Sequence, residues 1–140
     1  HTQGRWEYVS RVRGIGAAVI LAIDEDKDDE AAGAPHVILV EQYRVPLGAN
    51  CLELPAGLVG DEEEGEAIET AARRELEEEA GYRAGHLENL GRFASSPGMT
   101  SETFTLLRAT GLEKISDGGG TAHEDITVHR VALGGVAEFI

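Results

Sequence analysis

Basic residues are scarce in this chain of 140: Lys and Arg number 12 against 26 Asp and Glu, leaving a net charge of −14. Sequence-independent attachment to nucleic acid is excluded, because it needs a basic surface to displace counterions from the phosphates. Adhesion to an anionic bilayer surface is disfavoured for the same reason. An anionic substrate would need a cation from outside the chain to help hold it. Cysteine is nearly absent, with Cys51 alone, so no internal disulfide framework forms and a reducing, cytoplasmic setting is expected. Long apolar runs are missing too. The longest, Ala17 to Ile23, falls far short of the about 20 residues a membrane span needs, and no secretory leader is legible. What is present is a 41% apolar fraction, too high for a disordered acidic tail. The length suits one domain over residues 1–140 with a core of its own.

Short β-branched runs dominate the first half. Trp6 to Val12 alternates loosely, and Ala17 to Ile23 and His36 to Gln42 read as buried strands. The charged run between them, residues 24–35, reads as a flexible surface loop. A Gly/Pro-punctuated stretch follows, and then a helix over Glu66 to Ala80 with Gly81 as its C-cap. Strand patterns return at Leu87 to Phe93, Thr103 to Ala109 and Ile126 to Leu133. Ser116 to Gly120 (SDGGG) reads as a mobile loop, and a second helix begins at Gly135 and is cut short at Ile140. This order predicts an α+β fold, a mixed β-sheet sandwiched between helices.

The informative segment is GEAIETAARRELEEEAGY, Gly65 to Tyr82. With Leu76 placed at 0° on a helical wheel, Ala72 falls at about −40° and Ile68 at about −80°, which defines an apolar stripe. Glu79 falls at about −60°, inside that stripe, Glu75 at its edge at about −100°, and Glu78 at about −160°. A helix selected for solubility alone would turn these carboxylates away. Crowded within one turn they repel, and partial burial makes the repulsion worse unless they are protonated or bound to a cation. A hard divalent ion with oxygen ligands, Mg²⁺ above all, resolves the conflict. A solvated acidic helix is the plainer alternative.

These residues carry a family resemblance. Gly60, Glu66, Arg74, Glu75, Leu76, Glu78, Glu79 and Gly81 fit the spacing of the Nudix hydrolase signature, with Tyr82 in its last, usually aliphatic, slot. Pro55-Ala56-Gly57 offers a competing alignment in which Gly57 is the signature glycine and the following loop carries three extra residues. It is preferred for geometry, because a loop absorbs an insertion more easily than a helix. Segments outside the signature, at residues 4–11, 40–58, 95–102 and 123–129, resemble the ADP-ribose (ADP-sugar) pyrophosphatase branch. Pro97, 15 residues past Tyr82, matches the branch's marker proline.

The resemblance implies Mg²⁺- or Mn²⁺-dependent hydrolysis of the diphosphate bond of ADP-ribose to AMP and ribose 5-phosphate. Two or three ions would take part, held by the Ala56 carbonyl and by Glu75, Glu78 and Glu79. Trp6 would stack on adenine and Glu7 accept from its amino group. Arg11 and Arg44 would hold phosphates or ribose, with Met99 also at the substrate. Arg74 would clamp the carboxylates. The general base would be Glu124, on the glycine-rich loop before the last strand, with Glu102 as the alternative. The N-terminal strand, residues 1–13, would cross to a partner in a homodimer and complete the adenine site. No Ser, Cys or His nucleophile is needed, and His36, His86, His123 and His129 show no zinc or triad spacing. Two rival readings remain. One is hydrolysis of another nucleoside diphosphate sugar such as GDP-mannose or UDP-glucose, and the other is a non-catalytic nucleotide-sugar sensor.

Overall fold

Side-chain alternation along Ala17–Asp24 orients the architecture. Ala18, Ile20 and Ala22 are fully buried in one apolar cluster, whereas Leu21 and Ile23 pack against a second. Successive side chains of a strand leave on opposite faces, so this strand divides the core in two. The computed structural model describes residues 1–10, 16–25, 34–60, 65–121 and 124–140. Within them β1 (Thr2–Gln3) and β2 (Trp6–Glu7) form a small ribbon. The remaining strands are β3 (Ala17–Asp24), β4 (His36–Arg44), β5 (Ala49–Glu53), β6 (Ala56–Leu58), β7 (Tyr82–Ala94), β8 (Thr103–Lys114) and β9 (Ile126–Ala132), which make one mixed sheet. Its path runs β5-β4-β3-β8-β7, with β6 paired to β3 and β9 to β4. The β3–β8 pairing is parallel and the others are antiparallel.

Helix α1 (Ile68–Glu75) lies over the first cluster, where Ala72, Leu76 and Ala80 are fully buried with Ile20, Ile38 and Leu107. Alanines on both surfaces (Ala18, Ala22, Ala72, Ala109) let the helix approach the sheet closely. On the other face, Val136 of the short helix α2 (Val136–Phe139) packs against Val37, Leu39 and Val131. The expected α+β sandwich is therefore present. No helix among the described residues is long and apolar enough to cross a membrane.

Several local expectations are corrected. The helix starts at Ile68 because Glu66 serves the preceding loop instead. Its Oε2 accepts from the Gly60 N–H at 3.1 Å and its Oε1 lies 3.5 Å from Arg74 Nε. Beyond Glu75 the backbone widens into a π-helical turn, Leu76–Ala80, before Gly81 ends it at φ 75°. The punctuated stretch holds two strands, β5 and β6, with Pro55 between them. The SDGGG loop is tethered: Gly119 N–H donates to Glu79 O at 2.9 Å and Gly120 N–H to Glu78 O at 3.0 Å. The loose alternation from Trp6 yields the two-residue β2, after which Val9 bridges to Thr100. The middle of the charged loop, residues 26–33, lies outside the described residues.

Candidate active site

Among the described residues, Glu75 and Glu79 are the buried charged side chains, 9% and 6% exposed. Helical spacing puts them side by side, and strand β6 closes over them. Gly57 on β6 has no room for a side chain: a Cβ there would lie 1.8 Å from Glu75 Cδ. This close approach makes Gly57 the glycine the carboxylate helix depends on. Gly60, at φ 81°, instead turns the loop and hands its N–H to Glu66.

The adjoining Ala56 N–H donates to Glu79 Oε2 at 2.9 Å. That bond favours the ionised carboxylate, but burial outweighs it. The Glu79 pKa is pushed up to about 7, first by desolvation and further by the negative charges of Glu75 and Glu124, with Arg44 pulling weakly the other way. Arg74 gathers the neighbouring carboxylates. Its Nη1 lies 2.9 Å from Glu75 Oε1 and 3.4 Å from Glu78 Oε2, and its Nη2 donates to Leu58 O at 3.4 Å. One guanidinium thus ties α1, the π turn and β6 together.

A cavity of about 320 Å³ opens along β6, lined by Arg44, Ala56, Gly57, Leu58, Glu102 and Phe104 among others. Glu75 and Glu79 are not in its lining but abut Gly57 and Ala56, which are. Arg44 is pre-oriented there by a bidentate pair with Glu53, Nε to Oε1 at 2.7 Å and Nη2 to Oε2 at 2.8 Å. The sequence reading missed Glu53. Its signal was the β4–β5 hairpin, which brings a carboxylate nine residues on back beside the arginine.

Glu124 is exposed, and its Oε2 accepts from both Thr121 N at 2.8 Å and Thr121 Oγ1 at 3.0 Å. Trp6, 60% exposed, lines a different pocket of about 220 Å³ with Tyr8, Pro97, Gly98 and Thr100. The arm is held there by Val9, whose N–H donates to Met99 O at 2.9 Å and whose carbonyl accepts from Ser101 N at 3.0 Å. Trp6, Glu7 and Met99 therefore do not line the Arg44–Glu102 cavity of their own chain. Arg11 and His123 lie outside the described residues, and His129 is engaged by Glu41 at 2.9 Å.

No three His, Cys, Asp or Glu side chains among the described residues converge as a ready-made cage. The donor chemistry nevertheless fits a hard divalent ion. Two buried carboxylates abut, and the hydrogen bond to Glu79 comes from a neutral amide. A cation at Glu79 would offset the burial penalty that raises its pKa.

A family profile for the Nudix domain matches residues 13–127. The chain belongs to the Nudix family. Over 114 residues this Nudix domain is 38% identical to a Bacillus methanolicus protein named methanol dehydrogenase activator, covering 81% of this chain and 56% of that protein. Over 107 residues it is 37% identical to the ADP-ribose pyrophosphatase of Bacillus subtilis, covering 76% and 51%. A solved structure described as an ADP compounds hydrolase superposes with a TM-score of 0.66 at 25% identity, over 88% of this chain and 60% of that one. The chain spans about half the length of these two curated relatives.

Proposed function

We propose that this Nudix domain hydrolyses the diphosphate bond of ADP-ribose, releasing AMP and ribose 5-phosphate. The observation that supports this most is the buried Glu75–Glu79 pair beside a cavity furnished with Arg44 and Glu102. An acidic pair next to an arginine suits a cation–diphosphate complex better than a free anion. The substrate class is taken from the relatives and the structural neighbour named for ADP compounds.

Glu75, Glu78, Glu79 and the Ala56 carbonyl would hold Mg²⁺ or Mn²⁺, which when bound would neutralise the diphosphate and acidify the attacking water. Arg44, fixed by Glu53, holds a phosphate or ribose oxygen. Arg74 keeps Glu75 and Glu78 in register. Water attacks one phosphorus in line, the bridging oxygen leaves with the other phosphate, and Glu124 takes the proton of the attacking water. Glu102, on the wall of the cavity, is the alternative base. Trp6, Glu7 and Met99 lie apart from their own chain's cavity, and we assign Trp6 and Glu7 to the adenine of a partner's site in a homodimer, with Met99 also at the substrate. Arg11 joins Arg44 on the phosphates or ribose.

A second reading keeps the reaction and changes the sugar. The mouse protein that is 45% identical over 74 residues, covering 53% of this chain and 33% of its own length, is named ADP-sugar pyrophosphatase. A panel of ADP-ribose, GDP-mannose and UDP-glucose with Mg²⁺, scored by the nucleotide released, separates the readings. AMP from ADP-ribose is expected to dominate. Faster release of GMP or UMP moves the substrate to another nucleoside diphosphate sugar, and release of no nucleotide leaves the sensor reading.

A further inference from the structure

The glycine-rich loop reads as mobile from its sequence, yet its backbone is closely fitted against the carboxylate helix. Gly118, Gly119 and Gly120 all have positive φ, at 67°, 107° and 80°. A Cβ on Gly118 would lie 2.5 Å from Glu79 O, and one on Gly120 would lie 2.7 Å from Glu124 Oε2. Glycine here serves contact as well as freedom. The loop lies on the carbonyls of Glu78 and Glu79 and accepts the Glu124 side chain against itself. At the end of this clasp, Thr121 meets Glu124 three times. Its carbonyl accepts from Glu124 N at 3.0 Å, and its N–H and hydroxyl both donate to Oε2, at 2.8 and 3.0 Å.

We infer that Thr121 is a positioning residue for the reaction: its hydroxyl and amide fix Glu124 Oε2, so that Oε1 is left as the proton-accepting oxygen. The Gly119 and Gly120 amides anchor this assembly to the backbone of the helix that carries the metal-binding carboxylates. Two donors on one oxygen restrict rotation of the carboxylate, and the anchor sets its distance from the carboxylate helix. The charge of Glu124 is already felt at Glu79, which places the two carboxylates in one electrostatic neighbourhood. The inference rests on Glu124 being the base, as proposed above.

The test is a mutant cycle on whichever nucleoside diphosphate sugar the panel turns over fastest, at saturating Mg²⁺. Loss of one exposed hydroxyl donor to the carboxylate in Thr121→Val, with the Thr121 amide donor still in place, is expected to lower kcat about fivefold, with KM and the Mg²⁺ activation midpoint unchanged. Thr121→Ser, which restores the donor, is expected to bring kcat back to within about twofold of the parent. Adding Thr121→Val to Glu124→Gln is expected to cost nothing further, because the two groups act as one unit. Thr121 is exposed, and Thr121→Ala serves as a second deletion of the donor should the valine variant fold poorly. A kcat equal to the parent in Thr121→Val and Thr121→Ala, while Glu124→Gln is impaired, overturns the inference and leaves the base assignment standing. Independent losses in the double variant overturn it as well. Parent-like turnover by Glu124→Gln removes the base assignment itself, and the inference with it.

Discussion

Glu79 is a buried carboxyl whose protonation the fold perturbs. A carboxyl whose folded pKa is about 7 against an ordinary 4.5 binds its proton more tightly folded than unfolded. Its contribution to stability is therefore complete below pH 4.5 and is lost as the pH rises through about 7, a change of about 3 kcal/mol for this group. Metal-free protein should accordingly show a Tm that falls between pH 5 and pH 8, as this group's contribution of about 3 kcal/mol to the unfolding free energy is lost. Glu79→Gln, which still accepts from the Ala56 N–H, should flatten that slope and raise Tm at pH 8. Thermal melts in chelator at several pH values check this, and an unchanged slope in the variant would assign the effect elsewhere. The two candidate bases separate by the same kind of substitution. Glu124→Gln should lower kcat about tenfold or more with KM nearly unchanged, because it removes a proton acceptor and not a ligand. If Glu124→Gln is near the parent and Glu102→Gln is dead in steady-state kinetics, the base is Glu102.

At the scale of elements, β6 and the carboxylate helix form one device. Gly57→Ala puts a methyl where the Glu75 carboxylate lies, 1.8 Å from its Cδ. The buried, Arg74-clamped side chain must then move. Turnover should fall about tenfold or more for a modest loss of stability, about 1–3 kcal/mol. Gly60→Ala strains a positive φ remote from Glu75 and should cost stability with a smaller loss of turnover, which parallel melts and kinetics would show. A larger kinetic loss at Gly60 would restore it as the signature glycine. The helix could be read from its sequence because Glu75 and Glu79 fall on the stripe of Leu76 and Ala72, a conflict visible from spacing alone. Strands β5 and β6 could not, since a five-residue and a three-residue pairing set around Pro55 and Gly57 are too short to show an alternation pattern. The π turn was illegible too, as five residues of LEEEA have the same propensities in either helix. SDGGG was misread for a related reason. Glycine reports permission for an unusual backbone, and the contacts that fix that backbone come from residues about 40 positions earlier.

For the whole molecule, the deciding facts are the excess of negative charge and the separation of Trp6 from the Arg44–Glu102 cavity. Under the proposed function, an anionic substrate meets this −14 chain through a bridging cation, so turnover should vanish in chelator and return with Mg²⁺. An aromatic arm exposed beside its own 97–101 loop suits completion of a partner's site across a twofold axis. Light scattering at micromolar concentration should report a dimer, and Trp6→Ala should raise KM for the adenine substrate more than it lowers kcat. A fully active monomer would dismiss the shared site. Most direct of all is AMP release from ADP-ribose by the parent and by Glu79→Gln, each with saturating Mg²⁺ and with chelator. The account predicts turnover by the parent with Mg²⁺ alone and a loss of about a hundredfold or more in the variant. Full turnover by Glu79→Gln, or by the parent in chelator, would contradict it.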